Sequence, residues 1–304
     1  MQTRKSRIEW ATVAVILATT GVWMLSTWVA GHDGMWPALA ISALCVTLHS
    51  SCQHEVLHGH PTRNRLINEA LVFIAPGLFF PFRRFKSLHL QHHNDPNLTD
   101  PYEDPETNFM AKAEWDGLPA PVQWVREINN TLAGRLIIGP PIAVIGFWLA
   151  EARLILNGDR RVALAWGLHA AGLAITLWWV LGVAGVGFWA YLFAVAYPGY
   201  SLLTVRTFLE HRAEEEVPHR TCIVEDASGI FGFLFLHNNL HAVHHLKPTA
   251  AWYELPAIYR QNKDGYLAAN GGYRFDSYWQ LASRYMFHAK AGGPHPFLRV
   301  DGGE

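Results

Sequence analysis

Residues 162–205 read VALAWGLHAAGLAITLWWVLGVAGVGFWAYLFAVAYPGYSLLTV, a run that contains no Asp, Glu, Lys or Arg. A helix of about 20 apolar residues crosses the hydrocarbon core of a bilayer. Glycines between 182 and 187 divide the run into two segments of about that length, and short connections are typical of neighbouring helices. The run therefore predicts a hairpin of two transmembrane helices at 162–183 and 186–205.

Two further runs, at 10–30 and 36–57, have the same character and predict a second transmembrane hairpin. The runs at 66–82 and 136–152 are also apolar, but they contain prolines, which interrupt helices. We therefore expect these two runs to form interfacial or re-entrant helices.

The polar remainder, at about 58–135 and 206–290, would form a cytoplasmic helical cap that carries most of the histidines. The sequence thus predicts an all-α integral membrane protein with four transmembrane helices in two hairpins, interfacial helices and this cap. No low-complexity linker separates two soluble domains, so we expect a single domain over residues 1–304.

Basic residues set the expected orientation, because the cytoplasmic loops of membrane proteins are enriched in Lys and Arg. They flank the predicted spans at Arg4, Lys5, Arg7, Arg160, Arg161 and Arg206. This distribution places the N-terminus and the cap in the cytoplasm, and we expect a multi-pass protein of a bacterial inner membrane.

Charge and cysteine content exclude some classes of protein. Charged residues make up 16% of the chain, against roughly 25% in soluble domains. The net charge of −1 gives no basis for nucleic-acid binding. Cys45, Cys52 and Cys222 are odd in number and form no C-x-x-C pair, so we expect reduced core residues rather than disulfides.

Three segments are rich in histidine: HEVLHGH at 54–60, HLQHH at 89–93 and HNNLHAVHH at 237–245. Two of them contain H-x-x-H-H, whose positions i, i+3 and i+4 share one face of a helix, so each triad is expected to aim three imidazoles at one point. His54 and His58, at i and i+4, would do the same with two rings. Neutral imidazole is a common metal ligand.

The number of these imidazoles exceeds the three or four protein ligands typical of one zinc ion, and therefore suits two metals. Imidazole binds Fe, Zn, Cu and Ni alike, so the residues by themselves leave the metal open.

The segments HEVLH, HLQHH and HAVHH resemble the three histidine boxes of the membrane fatty acid desaturase superfamily, and their positions relative to the predicted spans are similar too. The resemblance implies two iron ions, O₂ as co-substrate, and an oxidoreductase that introduces a double bond into a fatty acyl chain or related lipid. A hydroxylase or ketolase of a lipid, an alkane or another apolar metabolite is the alternative, and a membrane metal transporter is a more distant one. The ligands that the resemblance implies are His54, His58, His89, His92, His93, His211, His241, His244 and His245.

His237 lies four residues before His241, so it is either a tenth ligand or a hydrogen-bond partner of a ligand. Thr207 stands where several family members have an Asn that helps to hold a metal-bound water. For most of the acidic run NDPNLTDPYEDPE at 94–106 we expect a solvated loop, with Asp100 as the exception. The candidate partners for ligand rings are Glu55, Asp100, Thr207, Glu210 and Asn238.

The resemblance also implies a source of electrons. The chain contains no HPGG haem-binding motif, so we expect a separate donor, ferredoxin-like or cytochrome b5-like. Arg83, Arg84, Lys86 and Lys247 could dock an acidic donor or bind lipid headgroups.

Overall fold

The computed structural model describes residues 8–225 and 229–297, so the expected basic N-terminal segment lies outside the described residues. The helices are α1 (Trp10–His32), α2 (Ala38–Leu57), α3 (Arg65–Leu71), α4 (Phe82–Asn94), α5 (Lys112–Asp116), α6 (Ala120–Asn129), α7 (Leu132–Ile137), α8 (Gly139–Leu156), α9 (Arg160–Leu177), α10 (Phe188–Tyr191), α11 (Tyr197–Glu210), α12 (Ile230–Leu234), α13 (His241–Leu246), α14 (Leu255–Gln261), α15 (Lys263–Ala269) and α16 (Tyr278–Tyr285). The other elements are the π-helical segments Trp178–Val183 and Leu192–Ala196, the 3-10 turn Val217–Arg220, and the strands β1 (Ile223–Val224) and β2 (Arg274–Phe275). The predicted all-α class is confirmed.

Four helical stretches in the described part of the chain are long and apolar enough to cross a membrane: Trp10–His32, Gly139–Leu156, Arg160–Val183 and Phe188–Glu210. The predicted number of spans is therefore confirmed. Three of the four stretches correspond to the spans predicted at 10–30, 162–183 and 186–205.

The fourth predicted span and the fourth observed span are different segments of the chain. The segment predicted at 36–57 is helical as α2, but its last turns contain Ser, Gln, His and Glu, and it is not among the four apolar stretches. The run at 136–152, expected to be interfacial or re-entrant, belongs instead to the continuous helix α8, which has the length and composition of a span. Pro140 and Pro141 do not break α8 because they lie in its first turn, where a helix needs no backbone N–H donor.

The described chain forms two compact units. The first contains the residues up to 86 together with 143–203, and the second contains 87–142 together with the residues from 204 onward. Helices α4, α8 and α11 each contribute residues to both units.

The first unit has an apolar core with a hydrogen-bonded centre. Trp23 Nε1 donates to the hydroxyl of Tyr191 at 2.9 Å, and this hydroxyl donates to the carbonyl of Pro76 at 2.7 Å. Burial removes these groups from water, so their mutual hydrogen bonds avoid a desolvation cost. Gly31 permits a close approach of backbones, because a Cβ atom at this position would lie 1.8 Å from the carbonyl oxygen of Ala184.

In the second unit, a two-stranded parallel pair holds the segment that leads into α13. Ile223 of β1 is in register with Arg274 of β2. On the other side of β1, the N–H of Val224 donates to the carbonyl of Asn239 at 2.8 Å. Leu240 and Val243 belong to a cluster of buried apolar residues. Their packing holds the backbone of the third histidine box in place.

All three cysteines are buried and free, as predicted from their number and spacing.

Candidate metal centre

Four imidazoles of the second unit converge, and we call them group A: His92, His211, His241 and His245. Their ligand atoms all lie within 4.8 Å of one another. His92 is on α4, His211 directly follows α11, and the other two occupy positions i and i+4 of α13. The Nε2 atom of His211 lies 3.0 Å from Nε2 of His92 and 3.0 Å from Nε2 of His241.

Hydrogen bonds at the opposite ring nitrogens orient two members of group A. His92 Nδ1 lies 2.7 Å from a carboxylate oxygen of Asp104, which only accepts, so His92 donates from Nδ1 and its Nε2 carries a lone pair. His241 Nδ1 lies 3.2 Å from Asn238 Oδ1 and 3.5 Å from Glu210 Oε1, an environment that favours the same tautomer. Both lone pairs then point toward His211 Nε2.

This arrangement fits a metal cation. His211 has at most one proton on Nε2, and it cannot share that proton with two lone pairs at once. A cation accepts several imidazole lone pairs together. The Nε2 atom of His211 lies 3.0 Å from Nε2 of both neighbours, so one cation could contact all three nitrogens.

The pKa shifts of three of the four rings in group A suit ligation, because a ligating histidine must be neutral. Burial, followed by the proximity of other imidazoles, lowers the pKa of His211, His241 and His245 well below the usual value of 6.5. Burial acts the same way on His92, but its hydrogen bond to Asp104 and the charges of Glu106, Asp104 and Glu210 together exceed the effect of burial and raise its pKa.

A second set of imidazoles in the same unit, group B, contains His89, His93 and His244. His93 Nε2 lies 3.1 Å from His244 Nε2, and the ring centroids of His89 and His93 are 4.6 Å apart. Burial lowers the pKa of His93 to about 3. Group B therefore also offers converging nitrogens, and the ring of His93 is neutral at neutral pH.

Group B has its own carboxylate partner, because His89 Nδ1 lies 3.0 Å from a carboxylate oxygen of Glu106. Burial would raise the pKa of Glu106, but the neighbouring imidazoles, led by His89, outweigh it and lower this pKa to about 2. The carboxylate is therefore ionised at neutral pH and accepts the Nδ1 proton of His89.

The two H-x-x-H-H motifs do not aim three rings at one point, contrary to the expectation from the sequence. In the second box His89 and His93 belong to group B while His92 belongs to group A, and the third box is divided in the same manner. In the first unit, His54 and His58 lie near the end of α2 with ring centroids 4.9 Å apart.

His237 lies outside both groups. Its ring stacks on Trp252 with a centroid separation of 5.8 Å, and its backbone has a φ of 56°. Among the described residues, Nδ1 of His237 has no hydrogen-bond partner.

The residues expected to form hydrogen bonds with ligand rings differ in what they contact. Asn238 and Glu210 are beside His241, as described above. Asp100 instead accepts the backbone N–H of Tyr102 at 2.8 Å, and Thr207 donates to a carbonyl one turn earlier in its own helix. Glu55 is buried in α2.

Sequence reasoning missed the two carboxylates that contact the second box. Asp104 and Glu106 lie in the acidic run that was expected to be mostly solvated. The only signal in the sequence was spacing. The two carboxylates are two residues apart, and the histidines of α4 that they contact are three residues apart. Lys290 was missed as well: its ammonium group donates to the carbonyls of Phe208 and His211 at 2.5 and 2.6 Å, at the end of α11.

The fatty acid desaturase family model matches residues 34–278, which is most of the chain and includes all three histidine boxes. The chain belongs to the fatty acid desaturase family. Membership in this family makes it a membrane-associated oxidoreductase of the lipid desaturase or oxidase type, with a lipid or acyl substrate. No curated protein matches the sequence.

Proposed function

We propose that this chain is an O₂-dependent di-iron desaturase that introduces a double bond into a fatty acyl chain. The observation that carries the proposal is the pair of imidazole groups, each with a carboxylate on the far nitrogen of one ring, in a chain of the fatty acid desaturase family. Group A would hold one ion. Group B would hold the other, together with His54 and His58, which are included because of the resemblance to the first histidine box.

Two iron ions, when bound, would bind O₂ and pass to it two electrons from an external donor, which would give an oxidant able to remove hydrogen from an unactivated C–H bond. The chain's own residues orient the ligands and limit access of water. Asp104 and Glu106 accept hydrogen bonds from Nδ1 of His92 and His89, respectively. The proton of His92 therefore stays on Nδ1, and its Nε2 stays free for a metal. Glu210 also lies 2.9 Å from Arg206 and accepts from the side-chain amide of Asn238 at 3.1 Å, which fixes the acceptor pair beside His241.

The remaining parts of the proposal rest on the resemblance and on the distribution of charge. Electrons come from a separate ferredoxin-like or cytochrome b5-like donor. The protein acts as a single domain, with its N-terminus and metal centre on the cytoplasmic side of a bacterial inner membrane. His237 is not included among the ligands, because its ring packs on Trp252 and belongs to neither group.

The test combines metal content with lipid analysis in cells that express the wild-type chain or a variant. The His241→Ala, His244→Ala double variant removes one ligand from each group. His288→Ala is the matched control, because His288 is exposed and lies outside both groups. We expect about two iron ions per chain and a lipid lighter by two hydrogens in the wild type and the control, with both lost in the double variant.

The products also separate the alternatives. A lipid product heavier by one oxygen would show that the chain is a hydroxylase rather than a desaturase. Iron content that is unchanged in the double variant would refute the metal centre itself.

A further inference from the structure

The first unit contains a cavity of about 140 Å³ that no part of the proposed metal centre uses. One water molecule needs about 10–15 Å³, so the cavity has room for a larger group. The lining residues are Val56, Gly59, Thr62, Arg63, Arg65, Asn68, Glu69, Phe82 and Lys86. Three of these are basic and one is acidic.

The single acidic residue of the cavity is already neutralised. Glu69 accepts two hydrogen bonds from the guanidinium group of Arg83, from Nε at 2.5 Å and from a terminal nitrogen at 3.2 Å. In the part of the chain that the structure describes, neither Arg65 nor Lys86 forms an ion pair with a carboxylate. The cavity therefore has an excess of positive charge.

The positive charges are close enough to influence one another. Burial, followed by the charges of Arg65 and Arg83, lowers the pKa of Lys86, and only the carboxylate of Glu69 opposes this effect. A bound anion would relieve the repulsion among these side chains.

The loop that carries Arg63 is held in place by a buried amide. Asn68 is 3% exposed. Its side-chain oxygen accepts from the N–H of Thr62 at 3.0 Å and from the hydroxyl of Thr62 at 2.6 Å, while its NH₂ group donates to the Thr62 carbonyl at 2.8 Å. A preorganised loop loses less conformational freedom when a ligand binds.

We propose that this cavity, with Arg63, Arg65 and Lys86 on its wall, binds a phosphate group. Several cationic side chains around a small cavity match the charge and the hydrogen-bond acceptors of a phosphate. Leu66 and Ile67, next to Arg65 on α3, are 71% and 51% exposed. Exposed apolar side chains beside basic ones are typical of a membrane interface, which favours a phosphate carried by a lipid headgroup over a soluble one.

The test measures binding rather than turnover, so its failure would leave the proposed metal centre untouched. The full chain is purified in a non-ionic detergent, and native mass spectrometry measures the binding of short-chain phosphatidic acid. The pocket variant is Arg65→Gln, Lys86→Gln. The matched control is Arg160→Gln, Arg161→Gln, which removes the same charge from exposed positions in the first turn of α9.

We expect the pocket variant to bind phosphatidic acid at least about tenfold more weakly than the wild type, while the control binds as the wild type does. Lys86→Arg, which keeps the charge, should retain most of the binding and shows that the pocket tolerates substitution. Equal affinity in the pocket variant and the control would overturn the proposal, as would the absence of binding in the wild type.

Inorganic phosphate, added as a competitor, distinguishes the two sources. If millimolar inorganic phosphate displaces the lipid, the site recognises the phosphate group alone, and a soluble phosphate compound is the ligand. If it does not, while the pocket variant is still impaired, the ligand is a lipid headgroup. Both results support a phosphate site.

Discussion

Replacing Asp104 by Asn should weaken metal binding at group A. One carboxylate oxygen of Asp104 accepts from His92 Nδ1 at 2.7 Å, and the other accepts from the N–H of Thr99 at 2.8 Å. An amide has only one oxygen. If its NH₂ group faces His92, the imidazole must move its proton to Nε2, where the proton blocks ligation, as in other sites where the wrong tautomer is enforced. If the NH₂ group faces Thr99, a buried N–H loses its acceptor.

Either orientation carries a cost that can be estimated. Loss of a hydrogen-bond partner behind a ligating histidine typically reduces metal affinity about 10- to 100-fold, or about 1.4–2.7 kcal/mol. The alternative orientation costs about 1–3 kcal/mol of folding stability through the unsatisfied N–H group. Since His92 belongs to group A only, iron should fall from about two per chain toward one.

The assay is dialysis of the iron-loaded protein against increasing concentrations of a ferrous chelator, followed by measurement of iron per chain. Asp100→Asn is the matched control: it lies in the same acidic run, and within the described ranges its side chain accepts only the backbone N–H groups of Tyr102 and Glu103. Equal iron retention together with equal folding stability in the two variants would refute the role assigned to Asp104. A greater loss of iron in Asp100→Asn than in Asp104→Asn would show that Asp100 supports a ligand, as the sequence suggested.

Three further perturbations test hydrogen bonds and protonation within the individual units. Lys290→Met removes the ammonium group that satisfies two carbonyls at the end of α11, so the free energy of unfolding should drop by about 2–4 kcal/mol; a change below about 0.5 kcal/mol in denaturant titrations would contradict this. Tyr191→Phe leaves Trp23 Nε1 and the Pro76 carbonyl without their shared partner, and should cost about 1–3 kcal/mol, seen as a lower melting temperature than that of a Tyr102→Phe control at an exposed position. Finally, the metal-free protein should lose stability as pH falls below 6.5, because burial lowers the pKa of His241 and only the unfolded chain then gains a proton there. This one residue contributes up to about 1.4 kcal/mol per pH unit, and melting temperatures that do not change between pH 7.5 and 5.5 would exclude the effect.

The apolar spans at 10–30 and 162–205 could be predicted because hydropathy reports directly on the cost of placing a helix in lipid. The same reasoning misjudged two segments for reasons that are physical. Helix α2 contains polar residues at the end that carries His54, and these lower its mean hydropathy. Proline breaks a helix only in the helix interior, and Pro140 lies in the first turn of α8. Composition alone does not show where a helix begins, so the sequence did not predict that Pro140 would be tolerated.

The convergence of the histidine rings was easier to predict than the carboxylates that contact them. Ring positions follow from helical periodicity, which is local and regular. The carboxylates of Asp104 and Glu106 reach their histidines through an irregular loop, in which Thr99 has a φ of 74° and Asp104 also accepts the N–H groups of Thr99 and Glu106. The path of such a loop depends on turn geometry and on long-range contacts that a sequence pattern does not contain.

The division of each H-x-x-H-H motif between two groups follows from the geometry of the helix. At 3.6 residues per turn, position i+4 is rotated by about 40° from position i, while i+3 is rotated by about 60° in the opposite sense. His89 and His93 can therefore converge, whereas His92 and His93 diverge by about 100° and cannot share an ion at close range. Group B combines the i, i+4 pair of the second box with the i+3 histidine of the third, and group A has the reverse composition with His211 added. Each copy of the motif thus contributes rings to both groups, an arrangement that is consistent with the two metal positions proposed above.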